Sequence, residues 1–171
     1  MVMEQDLARE LVASDDPILR EEMPKLDAAN PSMDPIELAH TLAQSVLKHG
    51  GLGLAAPQIG LRVSACVIKA NPMIVMINPQ IVGESDDESY YDEGCLSFPN
   101  MIIKIKRPNV IRVRYMQPNL EMKTERFEGL SARIIQHEVD HLEGILFQDR
   151  ATDYHHEQAK KNRKKVLTTP V

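Results

Sequence analysis

Residues 136–144 read QHEVDHLEG. His137 and His141 stand four positions apart with Glu138 just inside them, the H-E-x-x-H pattern of helical metal sites. At about 3.6 residues per turn the two histidines share one helix face, so both imidazoles can turn to a single cation. Glu138 lies one residue on and flanks that face. A carboxylate there can take up and hand on a proton for a metal-polarised water. The plainer reading is a helix whose histidines are only polar or packing residues, but it leaves the adjoining glutamate without a reason. The pattern alone implies metal-assisted hydrolysis, a chemistry that proteases share. Two histidines do not close a metal site, and the third ligand decides which hydrolase this is.

Downstream residues do not supply it. The segment 137–147, HEVDHLEGILF, follows the extended metzincin pattern as far as Gly144, then places Phe147 where a third histidine is needed. A thermolysin-like site needs a carboxylate on a following helix. The near candidates, Asp153 and Glu157, sit in a segment that reads as a surface helix. Upstream, residues 93–97 read EGCLS. Gly94 permits close backbone approach beside Cys95. A thiolate with two imidazoles makes a Cys/His/His set that leaves one position for water. A lone cysteine is more often a small buried apolar residue, and Cys66, inside VSACVIK, reads that way. A zinc endopeptidase of H-E-x-x-H type is the competing function.

Residues 51–58 read GLGLAAPQ. No Lys-Ser or Lys-Thr pair follows the glycines, so this is not a phosphate loop, and no strand leads into it as a dinucleotide fingerprint requires. Small residues let a substrate backbone lie close. Gln58 offers an amide N–H of the kind that stabilises a developing oxyanion. A tight helix-to-strand connection with a surface glutamine explains the same residues equally well.

The elements that must position these groups read as α+β within one domain spanning 1–171. The periodicity predicts a short helix near 4–12, loops at Asp15–Pro17 and Asn30–Pro31, and a helix opened by Asp34-Pro35 and closed by Gly50. Ile36, Ala39, Leu42, Ala43, Val46 and Leu47 form its expected apolar face. Strands are expected at 62–68 and 73–77, with a turn at Asn78-Pro79, and again at 101–106, 110–116 and 121–127, the last two joined by a turn at 117–120. The acidic stretch 83–93, GESDDESYYDE, reads as a solvated loop. A helix from 130 to 142 carries the metal motif, anchored by Leu130, Ile134, Ile135, Val139 and Leu142, and a last helix runs from about 153 to 165. The picture is antiparallel sheets around a central H-E-x-x-H helix, with one helix before and one after.

Composition narrows the function classes. Hydrophobic residues make up 43% and charged residues 26%, an ordinary globular mix. The net charge of −5 argues against a broadly basic nucleic-acid surface, so no DNA partner is expected. No apolar run approaches membrane-spanning length. Two cysteines form no disulfide framework, and the acidic N-terminus lacks signal-peptide and transit-peptide character. A cytoplasmic home in a bacterium or the host of a bacterial virus is expected, or an organelle if the chain is a trimmed form.

The set GLGLAAPQ, EGCLS and QHEVDH, in this order, closely resembles the peptide deformylases, and the likeness extends to the early DDPILR and the terminal helix. The resemblance implies hydrolysis of the formyl group from formyl-methionyl nascent polypeptides. It implies Cys95, His137 and His141 as ligands of one metal ion, Fe²⁺ natively, with Zn²⁺ or Ni²⁺ as replacements. It implies Glu138 as proton carrier, and Gln58 with the backbone N–H of Leu96 as oxyanion donors. Gly51, Gly53 and Glu93 then lie near the peptide, and Ile134 and His137 line the methionine pocket. Many relatives carry an arginine seven residues after the cysteine, where this chain has Ile102. Arg133 takes a helix position that is often apolar and borders the methionine pocket; it either points away or alters the rim. Arg107 keeps a basic group nearby. A monomer is expected. The basic end of the last helix, Lys160 to Lys165, favours the helix dipole and solubility; ribosome contact, which some bacterial relatives make with this helix, is the sharper reading.

Overall fold

A computed structural model describes residues 6–168. Helix α1, Pro35–His49, begins where the Asp34 carboxylate accepts the Ile36 and Glu37 N–H groups at 2.7 and 3.0 Å, and it ends at Gly50 with φ +69°. Seven strands follow: β1 Gly53–Ala55, β2 Ala65–Ile68, β3 Ile74–Glu84, β4 Glu88–Cys95, β5 Phe98–Pro108, β6 Val110–Met116 and β7 Met122–Glu128. Then come α2, Gly129–Leu142, and α3, Asp153–Thr168. One antiparallel sheet has the order β1-β2-β3-β6-β7; β4 and β5 form a separate antiparallel pair.

Strand alternation divides the core between two helices. Leu54, Ala65, Val67 and Ile77 face α1 and pack with Leu38, Leu42 and Val46. Their neighbours Ala55, Cys66, Ile68 and Met76 face the other way and pack with Ile135, Val139 and Leu142 of α2. Side chains at successive strand positions point to opposite faces, so β2 is buried throughout and the sheet is covered on both sides. The second layer also takes in Ile103 and Ile105 of β5, which places α2 among both sheets. Helix α3 lies against β5 and buries Ala159.

Several expectations are corrected. Of the short helix expected at 4–12, residues 4–5 lie outside the described residues, and 6–12 form no helix. Their backbone is satisfied elsewhere: Leu7 and Arg9 N–H donate to Gln44 Oε1 and Ser45 Oγ, and Val12 N–H to the Gln58 carbonyl. The apolar face of α1 is turned from its expected setting, with Leu38 buried and Ile36 and Leu47 exposed. Asn78-Pro79 is an irregularity inside β3, where Asn78 takes φ +51° and its amide bridges both backbone groups of Leu26. The acidic stretch is mostly strand. Only 85–87 leave the ladder, and Asp92 of β4 stands opposite Lys104 of β5, with Glu88 paired to Lys106 at 2.7 Å. Opposite charges on paired strands let an acidic sequence join a sheet. Leu130 is exposed and anchors nothing.

Candidate metal centre

Two local structures bring the predicted ligands together. Helix α2 is buried from Gln136 to Leu142, so His137 and His141 project into the interior from one face. Their rings lie 5.1 Å apart. Cys95 is the last residue of β4 and pairs with Phe98 at the start of β5, leaving Leu96 and Ser97 as the tip of a tight hairpin. Cys95, at the base of that tip, faces α2. One donor atom from each of Cys95, His137 and His141 lies within 4.8 Å of the others. Cys95 Sγ and His141 Nε2 are 3.3 Å apart.

The remaining predicted residues line one cavity of about 420 Å³ beside these donors: Gly51, Gly53, Gln58, Glu93, Leu96, Ile134 and Glu138, together with Cys95 and His137. His141 sits behind them, 1% exposed. Gln58 lies on the single 3-10 turn, Ala56–Ile59, that follows β1. Its side-chain carbonyl accepts the Ala55 N–H at 2.9 Å, and this fixes the amide orientation. The NH₂ group therefore faces Cys95 Sγ at 3.6 Å and Ser97 Oγ at 3.1 Å. A Cβ on Gly51 would meet Leu96 Cδ1 at 2.7 Å, and one on Gly53 would meet Ile134 Cγ2 at 2.6 Å and press into the Glu138 carboxylate. Both glycines are needed for close approach rather than for backbone angle.

Burial and mutual contact shift the titratable groups of this cluster in different directions. Burial alone would pull His137 down. Hydrogen bonds to Cys95 and Glu93, with the Glu138 charge, win and raise it to about 10. In other words, the cluster draws a proton onto the point where two ligands meet, which a metal ion would replace. Burial and the His137 charge hold His141 well below the usual imidazole value. Burial pushes Glu138 up to about 7, and its buried Oε2 has no hydrogen-bond partner among the described residues. A soft thiolate, two imidazoles and an adjacent unpaired carboxylate suit a catalytic metal set with an open position.

Phe147 is 1% exposed and packs its ring 5.6 Å from that of His137. It is an apolar side chain at the sequence position of a metzincin's third histidine, so the endopeptidase reading finds no ligand there.

A model of the polypeptide deformylase family matches residues 8–157. The chain belongs to that family. A peptide deformylase of Christiangramia forsetii is 36% identical over 158 residues, covering 82% of this chain and 80% of its own. A solved deformylase of Synechococcus elongatus in complex with actinonin is 31% identical, with TM-score 0.83 over 95% of this chain and 91% of that one. Deformylase 1B of Arabidopsis thaliana, solved with an inhibitor, is 34% identical, with TM-score 0.82 over 92% and 89%. The α+β fold is the deformylase fold, and the chain is a deformylase-family enzyme. A metal cofactor accords with both the family and the donor cluster. Among the described residues no helix is long and apolar enough to cross a membrane.

The open question over Arg133 has an answer in this deformylase. Arg133 lines the cavity yet is itself buried, with its guanidinium donating to Glu93 Oε1, Ile105 O and Ser89 O at 2.7, 3.1 and 2.7 Å. Ile102 stands 57% exposed at the cavity mouth. Sequence reasoning missed Ser97 as the partner of Gln58, and the buried roles of Arg107 and Asp140. A signal existed for Arg107: in IIKIKR, Ile103, Ile105 and Arg107 alternate with Lys104 and Lys106, which puts the arginine on the inward face.

Proposed function

We propose that this chain hydrolyses the N-terminal formyl amide of formyl-methionyl nascent polypeptides, with Cys95, His137 and His141 holding one metal ion. Ferrous iron is the proposed native ion, with zinc or nickel as replacements. When bound, the ion supplies Lewis acidity and makes a water more acidic. The chain's own residues do the rest. Glu138 takes a proton from the attacking water, and burial that favours its neutral form makes it a ready acceptor. Water oxygen bonds to the formyl carbon, the carbon–nitrogen bond breaks, and Glu138 delivers the proton to the departing amine. The products are formate and a free N-terminus. The Gln58 NH₂ and the Leu96 N–H donate to the oxygen that turns negative. Gly51, Gly53 and Glu93 border the peptide, and Ile134 and His137 wall the methionine side chain.

The observation that carries this reading is the meeting of Glu138 and Gln58 on the cavity bordered by Cys95 and His137. A static metal site needs neither a proton carrier nor an amide donor. The test is formate release from a formyl-Met tripeptide by iron-loaded protein, with metal content measured and Glu138→Ala alongside. Formate is expected from the parent and a near-complete loss in the variant. No formate from loaded parent, or full activity in the variant, overturns the reading.

The same proposal takes the protein as a cytoplasmic monomer that meets its substrate at the ribosome through α3, whose second half carries Lys160, Lys161, Arg163, Lys164 and Lys165. Co-sedimentation with ribosomes that survives truncation at 152 would remove α3 from this role.

A further inference from the structure

Behind His137 the buried charges form one continuous chain. Arg107 donates from Nε to Glu93 Oε1 at 2.7 Å and from Nη2 to Oε2 at 3.0 Å, and its third nitrogen, Nη1, donates to Asp140 Oδ2 at 2.8 Å. Arg107, Glu93 and Asp140 are 4%, 6% and 5% exposed. Arg150, whose side chain is 46% exposed, closes the outer end on Asp140 through two hydrogen bonds of 2.6 and 3.2 Å. Arg133 closes the inner end on Glu93 Oε1, with the Tyr91 ring 5.0 Å from its guanidinium carbon. Glu93 Oε2 then faces His137 Nδ1 at 3.1 Å.

Stability alone does not account for this arrangement. Desolvating several charges costs as much as their attraction returns, and apolar residues of similar volume serve as well. What the chain of charges does achieve is geometric. Glu93 lies two residues before Cys95 on β4, Arg107 is on β5, and Asp140 precedes His141 on α2. Arg133 lies one helical turn before His137 and reaches carbonyls of both β4 and β5. The network therefore fastens the hairpin that carries the thiol to the helix that carries the imidazoles. It also fixes the Glu93 carboxylate so that His137 donates from Nδ1 and keeps Nε2 for a cation. Among the described residues His141 has no such support, since none of them partners its buried Nδ1.

We propose that Arg107 and Arg133 are positioning residues of the metal centre, acting through Glu93, and that Asp140 and Arg150 hold Arg107 in place. The inference rests on the metal-centre reading above. Partners that orient a ligating histidine are worth roughly 10–100-fold in metal affinity. The experiment is competition for Zn²⁺ against a chromophoric chelator, for the parent and for Arg107→Gln, Arg133→Gln, Arg133→Lys and Arg150→Gln. The spectrum of each Co²⁺-loaded protein is recorded beside its thermal unfolding. Arg107→Gln and Arg133→Gln are expected to bind Zn²⁺ about 10–100-fold more weakly and to shift the Co²⁺ bands. Arg133→Lys recovers part of the affinity, because an ammonium can reach Glu93 but cannot also span Ser89 and Ile105. Affinity within about twofold of the parent in folded Arg107→Gln and Arg133→Gln overturns the proposal. Should both fail to fold, Arg150→Gln decides, because its half-exposed side chain can be trimmed without opening the core. A loss of roughly threefold or more supports the network, and unchanged affinity overturns it. A parent that takes up no stoichiometric ion would instead overturn the metal-centre reading itself.

Discussion

The side-chain amide of Gln58 stands 3.6 Å from the sulfur of Cys95, with its own carbonyl turned away to the backbone N–H of Ala55. The orientation of the amide is thus fixed by the protein itself. Removing one such donor costs about 10²–10³ in turnover. Gln58→Ala is therefore expected to lower kcat by roughly 10²-fold or more with zinc content unchanged. Steady-state formate release alongside metal analysis checks this. Parent-like kcat in a metal-replete variant would remove Gln58 from the reaction.

Gly53 separates the cavity wall from the proton carrier. A methyl there would stand 2.6 Å from Ile134 Cγ2 and against the Glu138 carboxylate, so one or both of these side chains must shift to admit it. Gly53→Ala is expected to cost about 10²-fold in kcat/KM, the scale of a one-ångström misplacement. Gly83→Ala is the control. Its Cβ meets Arg112 at an ordinary 3.6 Å, and activity is expected to stay at the parent level. Equal activity in the two variants would show that Glu138 is not held by this packing.

What was legible in the sequence follows the physics of each signal. The pair His137 and His141 was readable because helical spacing is local. Cys95 was readable because the residues just past His141 end in Phe147, which cannot ligate. The strand at 88–95 is hidden because its acids look solvated until Lys104 is found across from Asp92 and Lys106 within reach of Glu88. The helix face of α1 is ambiguous in the sequence, since Ile36 and Leu38 flank the same apolar stripe and only packing with Leu54 and Ile77 selects Leu38. Arg133 was unreadable in its role because its partners, Ser89, Glu93 and Ile105, are brought to it by tertiary structure alone.

Glu93 makes acid stability a test of the buried charges. Burial would push its carboxyl up, but hydrogen bonds from His137 and Arg107 outweigh that and hold it at about 2, below the usual 4.5. A depressed carboxyl contributes stability that is complete above about pH 4.5 and is lost as the pH falls through about 2. The contribution at neutral pH is on the order of a few kcal/mol. Urea unfolding of Glu93→Gln and parent is expected to show the widest gap near pH 7 and a narrowing gap from pH ~4.5 downwards. A gap that stays constant into acid would mean that Glu93 is not held as an ion in the folded protein.

The two cysteines offer a last contrast. Cys66 is fully buried in β2, and burial pushes its thiol well above the ordinary value, so it is poorly reactive. Cys95 is half-buried and borders the cavity, where small oxidants enter with solvent. Mild peroxide is therefore expected to oxidise Cys95 first, climbing from sulfenic to sulfinic acid. Because the sulfur is the proposed metal ligand, ion release and loss of formate production should follow the same time course as Cys95 oxidation measured by peptide mass spectrometry. Sulfenic acid is reversible and sulfinic acid is not, so prompt thiol treatment with added metal is expected to restore activity only at early times. Inactivation that precedes any change at Cys95 would place the sensitive group elsewhere, on the ion itself.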